Sequence, residues 1–341
     1  MSVMKDVAKL AGVSTGTVSK YLNNQHTLKD KTKIRVEDAI KALQYKPNLL
    51  ARSMRTGKTN TLAVIVPDIT NPFFVEVYNS VKLSASQNGY VCILYTTDDN
   101  PDTLNHYLTG IHMQNVDGFV LCFIDNNKVI EEFIDELHSN TPMVFLSWDI
   151  NNTKHSSVVI DVFEGIYIST SHLIEQGHKN IAYIGGPEND IISKEKFNGY
   201  TKAMESVGYE INQQLIFHNS YTLQSGYQAA RKLTMLPVIP DALVAENDIL
   251  AIGSIKYFLQ RKINIPDDIA VIGFDNIPLS AMYEPALSTI ALPITQMGSE
   301  AMKVLMSSIE KPSLKSKQII LKTNLIIRSS TNKNAPVEFG L

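Results

Sequence analysis

Short apolar runs alternate with helical segments after Thr61, and this alternation constrains the fold more than any other feature. A run of four to eight apolar residues between turn residues is typical of a strand buried on both faces. We expect eight such strands, at Leu62–Val66, Val91–Tyr95, Gly118–Cys122, Met143–Ser147, Ile181–Ile184, Leu215–His218, Ala242–Ala245 and Ile269–Gly273. Helical spacing between them, as in Phe74–Asn88 and Gly165–Gln176, predicts crossover helices and therefore doubly wound parallel sheets. The polar stretch Asn151–Ser156 separates two sets of strands, which predicts an α/β core of two similar lobes.

The charge of the chain is divided unequally between its beginning and the rest. Residues 1–58 contain 12 Lys and Arg against 4 Asp and Glu, whereas the remaining residues contain 19 and 30. A basic module gains free energy by displacing counterions from a polyanion, and an acidic one does not. The beginning of the chain is therefore expected to bind nucleic acid.

Apolar spacing in the basic segment predicts three short helices. Val3–Ala11 and Thr15–Leu22 are joined by a turn at Gly12-Val13, and a third helix follows around Ile34–Leu43. This order is the helix-turn-helix plan, in which the second helix enters the major groove of DNA. Ser14 is expected to cap that helix, and capping is compatible with a phosphate contact. The side chains expected at base edges or phosphates are those of Ser14, Thr15, Thr17, Lys20, Asn23 and Lys33, with Gly16 offering only backbone.

A second short basic segment follows the three helices. Pro47 and Gly57 are suited to the beginning and end of a helix of about two turns, a length that is unstable alone in water. One interpretation is a hinge helix that forms on DNA, with Asn48, Ala51 and Met54 at the contact and Met54 as a wedge in the minor groove. The alternative is a plain linker.

Polar and aromatic side chains follow the expected strands, where open α/β sheets bind ligands. They include Asp68, Asn71, Phe73 and Phe74 after the first strand, Ser147, Trp148 and Asp149 after the fourth, and Lys196, Tyr221, Asn247, Asp248, Asp275 and Asn276 in the second set. Rings, carboxylates and amides of this kind suit a hydroxyl-rich ligand in the cleft between the lobes. The alternative is structural: the Asn and Asp residues cap turns and helices, and Phe73 or Trp148 belongs to the core.

Several classes of protein are excluded by what the sequence lacks. It has no GxGxxG after the first strand, no GxxxxGK[ST], no GxSxG and no HExxH, so we expect no enzyme, cofactor or metal site. The start of the chain has no apolar signal region, and no run approaches a membrane span, so we expect a cytoplasmic protein. Cys92 and Cys122 lie in apolar runs and are expected to be buried thiols. A secreted sugar receptor would fit the body but not the basic segment.

The strings MKDVAKLAGVSTGTVSKYLN at 4–23, YKPN at 45–48 and ARSMRTGK at 51–58 resemble the LacI/GalR family of bacterial transcription regulators, and the resemblance extends to about residue 330. It implies a core like the periplasmic sugar-binding proteins behind a small all-α headpiece. The implied domains are a headpiece at 1–46, a hinge and linker at 47–60, an N-lobe at 61–161 and 293–320, a C-lobe at 162–292 and 321–331, and a tail at 332–341.

The resemblance also implies function. It predicts a homodimeric repressor that binds operator DNA, controls a carbohydrate-utilisation operon and responds to a sugar or sugar phosphate. A phosphorylated phosphocarrier protein acting as corepressor is the alternative. Carried over by position, the effector site comprises Phe73, Phe74, Ser147, Lys196, Tyr221, Asn247 and Asp275. The chain departs from the family with Lys for Arg at position 196, Ser for Asp at position 147, Met for Leu at position 54, and Gly16 where a base is usually read.

Overall fold

The protein forms two compact units, Met1–Thr59 and Asn60–Leu341. The computed structural model describes residues 3–23, 28–45, 57–98, 100–113, 116–122, 141–147, 155–311 and 315–335. Among the helices of these residues, none has the length and apolar content required to span a bilayer.

The first unit contains the three helices that the apolar spacing predicts. They are α1 (Met4–Ala11), α2 (Thr15–Asn23) and α3 (Asp30–Ala42). Their shared core consists of Val7, Ala8, Ala11, Val18, Tyr21, Val36, Ala39 and Tyr45. Gly12 ends α1 in the left-handed conformation, at a φ of 61°, which favours glycine. Its carbonyl oxygen accepts a hydrogen bond from Arg35 Nη2 at 3.1 Å, so α3 fastens the turn between the first two helices.

Three apolar residues that the spacing assigned to the headpiece helices are on the surface instead. Val3, Leu10 and Ile34 are 55%, 57% and 58% exposed. Two aromatic side chains, Tyr21 and Tyr45, are buried in their place at 8% exposure each. A helix of two or three turns buries only one narrow stripe against its neighbours, so residues at the edge of that stripe remain in solvent.

The first sheet of the second unit has the strand order β11-β5-β4-β3-β1-β2, and every neighbouring pair in it is parallel. Its strands are β1 (Thr61–Val66), β2 (Val91–Thr96), β3 (Gly118–Cys122), β4 (Met143–Ser147), β5 (Ser157–Ile160) and β11 (Gln318–Leu321). Among the described residues of this part, the helices are α4 (Pro72–Gln87), α5 (Pro101–Met113) and α11 (Ile294–Glu310). Ser80 of α4 donates a hydrogen bond to the Ile294 carbonyl at 2.8 Å, which fastens α11 to this lobe although it lies far away in sequence.

The second sheet has the order β12-β10-β9-β8-β6-β7 and is parallel except for the β10–β12 pair. Its strands are β6 (Ile181–Gly185), β7 (Ile216–His218), β8 (Ala242–Ala245), β9 (Ala270–Asp275), β10 (Ser288–Ala291) and β12 (Asn324–Ile326). Its helices are α6 (Val162–Glu175), α7 (Ile191–Ser206), α8 (Leu223–Leu233), α9 (Asp248–Gln260) and α10 (Pro278–Met282), with a short 3-10 turn at Gln213–Leu215. The α/β fold of two doubly wound sheets is confirmed.

The chain passes between the two sheets where strands end. It leaves the first sheet after β5, where Asp161 caps α6 by accepting from the Glu164 backbone N–H at 2.9 Å. It returns after β10 through Leu292 and Pro293 into α11, and the step from β11 to β12 joins the sheets a third time.

Four strands were not among the eight expected. β5 and β10 contain buried Ser and Thr side chains, and β11 and β12 are only four and three residues long. Hydroxyl side chains such as Ser157, Ser288 and Thr289 are fully or almost fully buried in these strands. Neither composition nor length therefore marked them as buried strands. The cysteine expectation is confirmed for Cys122, which is buried, whereas Cys92 is only half-buried.

Candidate DNA-binding and effector sites

Helix α2 and the residue before it present the side chains expected to meet DNA. Ser14 Oγ accepts from the Thr17 backbone N–H at 3.1 Å and lies 3.0 Å from Thr17 Oγ1, so Ser14 caps the helix as expected. Thr15, Gly16 and Lys20 are exposed, and Thr17 is half-buried. Thr15 and Gly16 lie at the amino end of the helix and Lys20 lies in its last turn, so polar side chains are exposed along α2 for contact with DNA.

The remaining residues expected to contact DNA either pair with another side chain or lie outside the described part of the chain. Lys33 Nζ lies 2.9 Å from Asp30 Oδ1, so its charge is engaged within α3 in the free protein. Asn23 ends α2, and its side chain is outside the described part of the chain. The hinge residues Asn48, Ala51 and Met54 also lie outside the described residues.

The first lobe places Phe73 and Phe74 at the start of α4, directly after the loop that follows β1. Asn71 caps this helix by accepting from the Phe73 backbone N–H at 3.0 Å. The Phe73 ring is 2% exposed and packs in the core, whereas Phe74 is partly buried and meets it edge to face at 5.1 Å. Phe74 is thus the ring of this pair that retains contact with solvent. Ser147 is the last residue of β4, but its side chain, like Trp148 and Asp149, is outside the described residues.

The second lobe brings the other expected effector residues to the carboxyl ends of β6, β8 and β9. Lys196, on α7, is 4% exposed, and its Nζ donates to the Glu246 carbonyl oxygen at 2.8 Å. The same Nζ lies 4.2 Å from the centre of the Phe274 ring. Lys196 is therefore held as a buried cation between the end of β8 and the end of β9.

Tyr221 lies between two carboxylates. Its hydroxyl is 3.0 Å from Asp190 Oδ2 and 3.0 Å from Glu246 Oε2. Burial, followed by the neighbouring Glu246 and Asp190, raises the pKa of Tyr221 well above its usual value. The tyrosine is therefore neutral, and its single hydroxyl hydrogen points toward these acceptors.

Asn247 and Asp248 perform structural tasks at the start of α9. Asn247 is its N-cap and accepts from the Leu250 backbone N–H at 2.8 Å. The fully buried Asp248 carboxylate accepts from Thr289 Oγ1 at 2.6 Å and from the Ile277 backbone N–H at 2.9 Å. Burial and the nearby Asp275 raise the pKa of Asp248 well above its usual value. The amide oxygen of Asn247 thus caps a helix, as the structural alternative expected. Asp248 instead joins β10 to the loop after β9.

Asp275 is the last residue of β9 and does not cap the following helix. Helix α10 has Ile277 as its N-cap, with no side-chain cap hydrogen bond. Asp275 has a φ of 110° and is 5% exposed. Burial raises its pKa to about 7, and the Lys196 cation opposes the rise. A non-glycine residue in this conformation with a buried carboxyl group is costly to stability, and such costs are concentrated at functional sites.

Two charged residues that the sequence did not single out complete this region. Arg328 is 1% exposed, and its guanidinium donates to Asn276 Oδ1 at 2.8 Å and to the Leu287 carbonyl at 2.8 Å. Glu246 is fully buried directly after β8. Its position directly after a strand, beside Asn247, could have predicted that it belongs to this region. The residues that follow the strands of an open sheet meet at the edge where ligands bind. Within the described residues, no cluster of His, Cys, Asp and Glu is arranged to hold a metal ion.

Comparisons with known proteins agree with this architecture. A profile described as bacterial regulatory proteins of the lacI family matches residues 3–48, and one described as a periplasmic binding protein-like domain matches residues 170–331. The HTH-type transcriptional repressor PurR of Mannheimia succiniciproducens is 33% identical over 98% of this chain and 100% of its own length. The chain belongs to the lacI family of bacterial regulatory proteins. It is a DNA-binding transcriptional repressor and not an enzyme.

Two solved structures show how far the likeness extends. A complex of the transcriptional regulator CelR with cellobiose is 28% identical, covers 97% of this chain and 100% of its own, and has a TM-score of 0.73. The lac repressor dimer bound to operator and the anti-inducer ONPF has a TM-score of 0.85 over 97% of this chain and 99% of its own. At 22% identity, the second structure supports the fold alone.

Proposed function

We propose that this lacI-family repressor controls a carbohydrate-utilisation operon in the cytoplasm and responds to a sugar or sugar phosphate bound between the two lobes of its core. The observation that carries the proposal is the group formed by Lys196, Tyr221 and Asp275 at one edge of the second sheet. It offers a buried cation, an aromatic ring with a polar tip and a buried carboxyl group. Hydroxyl-rich ligands are bound by this combination. The likeness to a regulator solved with cellobiose supports a sugar as the effector.

The proposed DNA contacts follow from the geometry of the first unit. Thr15 and Lys20 meet base edges, Gly16 allows the backbone to approach, and Ser14 and Thr17 contact phosphates. Asn23 and Lys33 are proposed as further phosphate contacts, with Lys33 exchanging its Asp30 partner for DNA. We also propose that, within the hinge and linker at 47–60, residues 48–55 become helical on the operator, with Asn48 and Ala51 at the contact and Met54 in the minor groove.

A homodimer is the proposed assembly. Leu279 and Met282 of the short helix α10 are 45% and 72% exposed, and Val91 of the edge strand β2 is 67% exposed. Exposed large apolar side chains of this kind are available for burial between two subunits. A dimer would also place two headpieces on the two half-sites of an operator.

The test combines DNA binding with an effector screen. Purified protein is titrated onto promoter fragments from the region of its own gene, using fluorescence anisotropy at several salt concentrations. We expect a specific fragment to bind far more tightly than random DNA, with affinity falling steeply as salt rises. A thermal-shift screen then uses cellobiose, glucose, ribose and glucose 6-phosphate, since a ligand at ~100 times its Kd adds ~2.7 kcal/mol to stability. Specific DNA binding that none of these compounds alters, with no thermal shift, would contradict a sugar effector.

A further inference from the structure

The carboxylate of Glu246 is fully buried and accepts four hydrogen bonds. Its Oε1 accepts from the Tyr183 hydroxyl at 2.5 Å and from Ser193 Oγ at 2.6 Å. Its Oε2 accepts from the Gly186 backbone N–H at 2.9 Å and from the Tyr221 hydroxyl at 3.0 Å. A buried carboxylate needs such a set of donors, because each donor that is lost leaves part of its desolvation cost without compensation.

These four donors come from separate parts of the second lobe. Tyr183 belongs to β6, Gly186 to the turn after it, Ser193 to the first turn of α7, and Tyr221 to the loop before α8. Glu246 itself follows β8. One side chain therefore joins a helix and a loop to the ends of β6 and β8, which are themselves neighbouring parallel strands.

The backbone at the end of β6 and in the turn after it leaves room for this carboxylate. A Cβ atom added to Gly185 would lie 2.4 Å from Glu246 Oε1, and one added to Gly186 would lie 2.0 Å from Tyr221 Cζ. No side chain fits at either position while Glu246 and Tyr221 keep their places. The two glycines, the glutamate and the tyrosine are thus mutually dependent.

Glu246 also acts through its backbone. Its carbonyl oxygen accepts the Lys196 Nζ hydrogen bond at 2.8 Å. Two of the proposed effector residues, Lys196 and Tyr221, are therefore held by the same residue, through different atoms. Glu246 and Asp190 share the single Tyr221 hydroxyl hydrogen, so toward a ligand this hydroxyl can act only as an acceptor.

We propose that Glu246 is a positioning residue of the effector site, whose buried carboxylate holds Tyr221 and the turn after β6 in the ligand-binding arrangement before the effector arrives. The inference rests on the proposed function, since it takes Lys196 and Tyr221 as effector-binding residues. Binding groups that are already held in place lose less conformational entropy when the ligand binds, which is the advantage of such an arrangement.

The test is hydrogen–deuterium exchange of the full-length protein without ligand. Glu246→Ala removes the acceptor. Glu246→Gln keeps the side-chain shape and an amide oxygen that accepts from Gly186 and Tyr221, but its NH2 group cannot accept from the buried Tyr183 and Ser193 hydroxyls. We expect Glu246→Ala to raise exchange at least ~10-fold in the segments 185–193 and 219–222. Glu246→Gln should keep exchange in 219–222 within about twofold of wild type and raise it in 185–193, where the Ser193 hydroxyl has lost its acceptor.

Two controls separate positioning from general stability. Tyr227→Phe removes another tyrosine hydroxyl bond of this lobe, the 2.7 Å contact with Gln260 Oε1, and should leave both segments unchanged. If Glu246→Ala fails to fold, Tyr221→Phe should raise exchange in 219–222 alone, and Ser193→Ala in 185–193 alone. Exchange that rises equally in α8 and α9, or that stays at the wild-type rate in both segments, would overturn the proposal. The readout needs no effector, so a failed sugar screen would count against the proposed function and not against this inference.

Discussion

Replacing Asp275 by Asn should remove a pH-dependent loss of stability from the core. Burial raises the pKa of Asp275 from 3.8 to about 7, a difference of about three units. Each unit corresponds to about 1.4 kcal/mol, so ionising this buried carboxyl group costs the folded state roughly 4 kcal/mol at pH 8. Asn has nearly the same shape and tolerates positive φ better than most residues, so the conformation at 110° can be retained.

The direction of the pH effect follows from proton binding. Between pH 4 and pH 7 the folded protein keeps the Asp275 proton and the unfolded chain loses it. Stability contributed by the protonated carboxyl group is therefore present at low pH and falls as pH rises through this window. Between pH 5 and pH 8, wild type should lose about 2.5 kcal/mol that Asp275→Asn retains. The variant is therefore expected to gain in relative stability as the solution becomes more alkaline.

The assay is urea unfolding of both proteins at pH 5, 6.5 and 8, followed by circular dichroism of the core transition. Glu205→Gln, which replaces an exposed carboxylate near the end of α7, is the matched control and should follow wild type at every pH. A stability difference between wild type and Asp275→Asn that does not change with pH would refute the reasoning. The same variant should bind effector at least about tenfold more weakly, because a neutral amide replaces a carboxyl acceptor.

Three further predictions concern DNA and assembly. Lys20→Ala should cost ~1–3 kcal/mol of binding free energy on the operator and relax specificity at one base position, whereas Lys33→Ala should weaken binding to specific and random DNA alike in anisotropy titrations. Equal losses of affinity by Lys20→Ala on both DNAs would reject α2 as the recognition helix. Met54→Ala should remove most of the operator bend in a circular-permutation assay, while Met54→Leu, of similar volume, should be nearly neutral. If the Ala variant bends DNA as wild type does, the segment 47–60 is a plain linker. Met282→Glu places a charge on the proposed interface and should produce monomers in sedimentation velocity; an unchanged dimer would exclude α10 from the contact.

The sequence by itself determined the order and type of most elements. Strands such as β1 and β8 are buried on both faces, so they appear as continuous apolar runs whose limits can be located directly. The turn at Gly12 and the cap at Ser14 have local causes, and both were predicted from single residues. The set of loops proposed to supply the effector site also followed from the strand order, because the residues after parallel strands share one edge.

The tertiary structure alone decided which polar residues are buried and what they contact. A glutamate such as Glu246 looks like a surface residue in the sequence, and only the meeting of β6, β8, α7 and the loop before α8 surrounds it with donors. The same holds for the buried hydroxyl groups of β10 and for Arg328, whose hydrogen-bond partners include residues 40 or more positions away. Local periodicity reports which face of an element is apolar. It contains no information about contacts between distant segments, and burial of a charged group depends on those contacts.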